Sequence, residues 1–167
     1  MSMLIRAARP DEYPDIARLT VAAYGASGQL NDRYRPVLLD VAGRAAEGIV
    51  LVAVDEHTDR PLGAVTFVLP GSRYSELAGA GEAEFRMLAV DPAAQGRGVG
   101  RLLVGECLRR AAAAGCSAVV LCYRDFATVA HRLYTAMGFE RIPERDWEPA
   151  PGVRLLGMRA TVEAFRV

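Results

Sequence analysis

The chain has 167 residues, a length that fits one domain, and 51% of them are apolar, ample for a core. Its 20 basic residues balance 20 acidic ones, so no charge excess favours nucleic acid or an anionic membrane as partner. No apolar run approaches the ~20 residues that cross a bilayer, and the three cysteines and two histidines show no zinc-ligand spacing, so no metal site is expected.

Met1 to Arg6 lacks the basic region, long apolar stretch and cleavage site of a secretion signal, so a cytoplasmic protein is expected. Residues 4–8 read as a first strand. Asp11 is the expected cap of a helix reaching about Tyr24, with Pro14 in the first turn and Ile16, Leu19 and Ala23 on one face. After a polar break at 25–31, a second helix is expected from Asp32 to Glu47. Ile49 to Val54 is a continuous run rich in β-branched residues, the mark of a strand covered on both faces. Residues 62–69 form the next strand, 70–81 a loop, and Glu82 to Val90 a long strand stopped by Asp91-Pro92. A glycine-rich turn follows, then a helix from Val99 to Ala114, a strand from Ala118 to Tyr123 and a helix from Thr128 to Met137. Residues 139–142 make a strand, 143–152 a loop and 154–160 the last strand. The order βααβββαβαββ predicts one mixed α/β domain over residues 1–167, antiparallel early and with a βαβ unit later.

The strongest chemical signal is the strand, turn and helix spanning Phe85 to Leu103. The first N–H groups of a helix have no partner within it and carry the positive end of its dipole, which suits a phosphate or pyrophosphate. Gly96, Gly98 and Gly100 clear space for close approach, and Arg97 and Arg101 add charge. A Walker loop needs a lysine, and this chain has none. A dinucleotide fingerprint needs its glycines at the first βα turn, whereas these come after several elements.

Gln95-Gly96-Arg97-Gly98-Val99-Gly100 resembles the Q/R-x-x-G-x-G/A acetyl-CoA motif of GNAT N-acetyltransferases. Met87 to Pro92 looks like the strand before that motif, and Ala130 to Phe139 resembles the family's A-x-x-x-Y-x-x-x-G-F segment. The resemblance covers nearly the whole chain. It implies a GNAT-type α/β fold, a mixed central sheet splayed between its fourth and fifth strands and flanked by helices. It implies acetyl-CoA as co-substrate and a small-molecule or peptide amine as acceptor, and it makes a homodimer an expectation. The alternative is a module of the same fold that binds acyl-CoA without turnover.

By the same resemblance, Gln95, Gly96, Arg97, Gly98, Val99, Gly100 and Arg101 would hold the pyrophosphate. Backbone groups of Leu88, Ala89 and Val90 would bind the pantetheine and polarise the thioester carbonyl. Tyr134 stands where the family has a tyrosine beside the CoA sulfur. Glu84 stands where several members carry a catalytic base, and strand alternation would put Glu84, Arg86, Leu88 and Val90 on one face. Glu82 is a weaker candidate base. Many members carry Asn where this chain has Ala127, so Asp125 or Thr128 is the expected helix cap. The loops 25–35 and 143–152 are expected to flank the acceptor, with Trp147 against it and Glu144, Asp146 and Glu148 as an acidic rim. His131 and His57 read as packing and surface residues, and Cys107, Cys116 and Cys122 as small buried hydrophobes.

Overall fold

Alternating and β-branched runs assemble one mixed sheet, and helices cover both of its faces. The computed structural model describes residues 2–163. The strands are β1 (Met3–Ala7), β2 (Ile49–Asp55), β3 (Pro61–Val68), β4 (Glu82–Val90), β5 (Ala118–Arg124), β6 (Glu140–Arg141), β7 (Trp147–Ala150) and β8 (Val153–Thr161). The helices are α1 (Tyr13–Ala26), α2 (Arg35–Leu39), α3 (Val41–Glu47), α4 (Val99–Ala113) and α5 (Thr128–Ala136). The sheet order is β1-β2-β3-β4-β5-β8-β6, with β7 paired to β8. All neighbouring pairs run antiparallel except β4 and β5.

The run 49–54 behaves as its composition requires. Leu51 and Ala53 join the core under α4, whereas Val50, Val52 and Val54 join a second cluster with Ile16 of α1 and Val41 of α3. In α4 the residues Val99, Leu103, Val104, Cys107, Leu108 and Ala111 form the buried stripe. Truncating a side chain such as Leu103 to Ala would cost ~2–5 kcal/mol.

Four local expectations are corrected. Asp11 does not cap α1; a 3-10 turn, Pro10–Glu12, comes first, and the Glu12 carboxylate accepts from the Arg9 amide at 2.8 Å and from Arg6 at 2.7 Å. The helix expected over 32–47 breaks at Asp40, whose ψ of 67° leaves the helical region and whose carboxylate accepts from the Gly43 amide at 3.0 Å, capping α3. The buried Arg44 donates to the carbonyls of Val37 and Leu38 and to Thr66 Oγ1, tying the broken end to β3. Neither Asp125 nor Thr128 caps α5, which starts from Ala127 without a side-chain bond. The expected loop 143–152 contains a 3-10 turn and β7.

Candidate active site

β4 and β5 pair only at Glu82 with Ala118, Ala83 with Val119 and Glu84 with Val120. Beyond that point β4 carries a bulge. Met87 takes φ +59°, and the register against β3 shifts between Ala64 and Thr66. A bulge bends its strand and raises its twist, so β4 leaves β5 and its edge from Phe85 onward is unpaired on that side. The gap opens a cleft of about 490 Å³. The bulge also corrects the expected alternation. Leu88 and Val90 pack with Ala83 and Phe85 on the α4 side, whereas Glu84 and Arg86 bond to the loop on the other face.

The glycine turn borders this cleft. Asp91 accepts from the Ala93 amide at 3.0 Å and starts a 3-10 turn, Pro92–Ala94. Gly96 and Gly98 then take φ of +80° and +79°, values that L side chains rarely adopt. Gly98 is the N-cap of α4, and the first i to i−4 bond runs from Leu102 N–H to Gly98 O. The amides of Val99, Gly100 and Arg101 therefore precede the helical ladder. A Cβ on Gly98 would meet no atom within 4 Å, so the space before these amides is open. Nine of the ten sequence-derived binding residues line the cleft: Leu88, Ala89 and Val90 on its strand wall, and Gln95, Gly96, Gly98, Val99, Gly100 and Arg101 at its end. Arg97 does not line it.

Tyr134 stands in the wall, 5% exposed, inside an aromatic cluster with Phe85, Tyr123 and Phe139 at ring separations of 5.7–6.0 Å. Burial pushes its phenol above the ordinary range, and nearby Cys122 adds to this. Cys122 departs from the buried-hydrophobe reading, for it is half-buried and lines the cleft, with its thiol raised to about 12 mainly by burial.

A second cleft of about 360 Å³ adjoins the first. The two share Tyr24, Gln29, Arg86, Met87, Cys122 and Tyr123 as common wall. Gln29, Asn31, Arg33 and Tyr34 from the first expected loop and Pro149 and Ala150 from the second line it. Trp147 and the acidic residues Glu144, Asp146 and Glu148 do not. Asp146 is bound to Arg141 at 2.6 Å and to the Gly157 amide at 2.8 Å, and these bonds hold its carboxyl low. Trp147 is taken up in the β7 pairing with Leu155.

Glu84 does not open onto either cleft. It is 0% exposed, and its carboxylate accepts from the Ser75 hydroxyl and from the amides of Glu76, Leu77 and Ala78 at 2.9–3.1 Å. Its oxygens are committed to holding the loop 70–81. Glu82 is equally committed, to Arg145 at 2.6 Å, Arg159 at 2.7 Å and the Gly79 amide at 2.8 Å. Burial alone would raise its carboxyl, but these three bonds bring it to about 2. The loop that Glu84 anchors delivers Glu76 to the second cleft. The Glu76 side chain is 23% exposed, bonds Arg86 Nε at 3.0 Å and faces Cys122 Sγ at 3.8 Å. Burial raises its carboxyl above the ordinary value, against the opposing charge of Arg86. Among the described residues no group of three or more His, Cys, Asp or Glu could hold a metal ion, and no helix is long and apolar enough to cross a membrane.

The sequence profile of the Acetyltransferase (GNAT) family matches residues 13–139, most of the chain. This chain belongs to the GNAT acetyltransferase family. Its fold agrees with solved GNAT structures. It is similar to the PaiA N-acetyltransferase of Thermoplasma acidophilum, solved in complex with coenzyme A, at TM-score 0.74 and 15% identity over 96% of this chain and 99% of that one. It is similar to a GNAT family acetyltransferase from Brucella melitensis, solved in complex with acetyl-CoA, at TM-score 0.62 and 29% identity over 83% of each chain. A curated relative, the uncharacterized protein ML0378 of Mycobacterium leprae (strain TN), is 46% identical over 79 residues. That match covers 47% of this chain and 21% of the relative, so the likeness spans only about a fifth of the relative's length.

Sequence reasoning missed Glu76, Arg86 and Tyr123 in this GNAT site. Glu76 lies in a loop without periodicity, and only the fold brings that loop beside β5. Tyr123 lines both clefts, and its hydroxyl bonds His131 Nδ1 at 2.6 Å, so His131 has a specific partner at the site's edge. The spacing of Tyr123 from His131, at the end of β5 and on the next helix, was the one signal that could have found this pair.

Proposed function

We propose that this GNAT chain is an N-acetyltransferase that moves the acetyl group of acetyl-CoA to a primary amine by direct attack in a ternary complex. The observation that carries the reading is the meeting of two clefts at one wall. The first ends on open space before helix amides, and the second brings a carboxylate to the junction. The residues present fit acetyl-CoA. The turn 95–101 supplies amide donors and Arg101 for the pyrophosphate, and the unpaired edge of β4 supplies backbone groups to Leu88, Ala89 and Val90 for the pantetheine and the thioester carbonyl. The coenzyme A and acetyl-CoA complexes of the Thermoplasma and Brucella proteins support the same ligand here.

An amine of pKa ~10.4 is neutral in only about one molecule in 10³ at pH 7. A base is therefore needed, and we assign it to Glu76, which lines the acceptor cleft, in place of Glu84, which does not. Glu76 takes one proton from the ammonium and passes it to solvent, the nitrogen bonds to the carbonyl carbon, and as the carbon–sulfur bond breaks the nitrogen sheds a second proton to leave the neutral amide. Tyr134 meets the departing sulfur. Its phenol is raised, not lowered, so it donates a hydrogen bond to the thiolate and keeps its own proton, while the thiolate takes the second proton shed by the nitrogen, directly or through water.

The test is thiol release from acetyl-CoA with a panel of primary amines, beside calorimetric titration of acetyl-CoA alone. Thiol release that depends on an amine supports the reading. Binding without release for every amine would instead identify an acyl-CoA-binding module without turnover.

A further inference from the structure

The second cleft carries more positive charge than its carboxylate balances. Glu76 is already paired with Arg86. Arg33 and Arg124 also line this cleft, and among the described residues neither has a carboxylate within ion-pair distance. Arg124 lies over the ring of Phe126, its guanidinium carbon 4.8 Å from the centroid, which fixes the plane of the fork. Its Nε is buried with no hydrogen-bond partner. A guanidinium stays protonated and matches carboxylate or phosphonate oxygens with paired donors. The same cleft is also lined by the apolar Val37, Val153 and Leu155. A polycationic amine would meet like charge here, which selects against it.

We propose that the acceptor is a small amine that also bears an anionic oxygen group, with an α-amino acid of apolar side chain as the simplest case. Arg33 and Arg124 hold the anion, the apolar lining takes the side chain, and the amine is left toward Glu76 and the shared wall of the two clefts. The inference rests on the acetyltransferase reading and adds the substrate class to it.

The experiment compares kcat/KM, by thiol release from acetyl-CoA, for leucine and phenylalanine against isoamylamine and phenethylamine, which lack only the carboxylate. The aminophosphonate analogue of leucine separates carboxylate from phosphonate recognition, and spermidine is the polycationic arm. At least one anionic amine should exceed its uncharged-tail analogue by about 100-fold, because a site built for a polar group rejects the analogue without it. In Arg124→Gln and Arg33→Gln that ratio should fall at least tenfold with acetyl-CoA affinity unchanged. Arg33 is exposed, so its variant keeps the test open should Arg124→Gln fail to fold. A preference for spermidine or for the decarboxylated amines overturns the inference and leaves the acetyltransferase reading standing. So does a ratio that ignores both folded variants, or a parallel loss of acetyl-CoA affinity, which would give the arginines to the donor. Acetyl-CoA binding with no thiol release for any amine overturns both readings.

Discussion

Glu76 and Glu84 lie on one short loop and the strand it enters, yet they do opposite work. Glu84 is a buried side chain whose carboxyl oxygens accept from the Ser75 hydroxyl and three loop amides. Glu76, whose own amide is among those donors, lines the second cleft with its side chain. The two roles predict different pH behaviour. Glu76→Gln should lower kcat/KM by ~10²-fold at pH 7, with most of the loss recovered as the pH nears the amine's pKa. Glu84→Gln should lower activity by loosening the loop, and high pH should not restore it. It should also lower the melting temperature, which Glu76→Gln should leave near wild type. Paired pH–rate profiles and thermal melts of the two variants decide this; rescue of the Glu84 variant at high pH would return the base role to Glu84. Tyr134 gives a third test at this scale. A hydrogen-bond donor needs its hydroxyl and hardly its ring, so Tyr134→Phe should keep acetyl-CoA affinity within a few-fold while kcat falls ~10- to 10³-fold. Because burial raises the phenol, the wild-type profile should show no falling limb up to about pH 10, the ordinary tyrosine value. A silent Phe variant would leave Tyr134 as part of the aromatic cluster alone.

Among the elements, the turn into α4 was the most legible, because glycine is the one residue whose identity reports its backbone freedom. Gly96 and Gly98 both stand in the left-handed region, and Gly98 closes onto the helix start. In Gly98→Val a branched side chain would strain this φ and enter the open space before the amides. Acetyl-CoA should bind at least tenfold more weakly, ~1.4 kcal/mol, and titration of the folded variant measures it; unchanged affinity would remove the turn from the cofactor site. The bulge in β4 left no such mark. Met87 is an ordinary apolar residue in an apolar strand, and its positive φ coincides with the register shift against β3. Strict alternation therefore misassigned Leu88 and Val90, and with them the face of Glu84. The break at Asp40 was hidden for a similar reason. Val37, Val41 and Ala45 keep a helical period across it, and only the capping bond to Gly43 separates α2 from α3.

At the scale of the molecule, the parallel β4–β5 pair is short, and it joins the antiparallel first half to the later strands. Glu82 reinforces that junction. It starts β4, and it bonds Arg159 of β8 and Arg145 of the turn before β7, contacts 77 and 63 residues away in sequence. No local pattern in a sequence could announce a cluster closed over such distances, so Glu82 read as a candidate base while its structural partners went unseen. Its electrostatics now make a prediction for the whole fold. The folded carboxyl is held at about 2 against an ordinary 4.5. A lowered folded value means that the native state prefers the carboxylate more than the unfolded chain does. The stabilisation is thus fully present above about pH 4.5 and drains away as the pH falls toward 2. Taken at face value the difference is worth about 3 kcal/mol, and the partial exposure of both arginines reduces it, so ~1–3 kcal/mol is expected at pH 7. Glu82→Gln should lose that much in urea unfolding at pH 7. The gap between variant and wild type should then narrow as the pH is lowered from 4.5, because acid protonates the wild-type carboxyl and removes the same charge that the substitution removes. Other low carboxyls, such as Glu12 and Asp146, titrate in both proteins and cancel in the difference. A gap of constant size from pH 7 to pH 3 would mean that Glu82 contributes by packing and neutral hydrogen bonding, and that the junction between the two halves of the sheet does not depend on its charge.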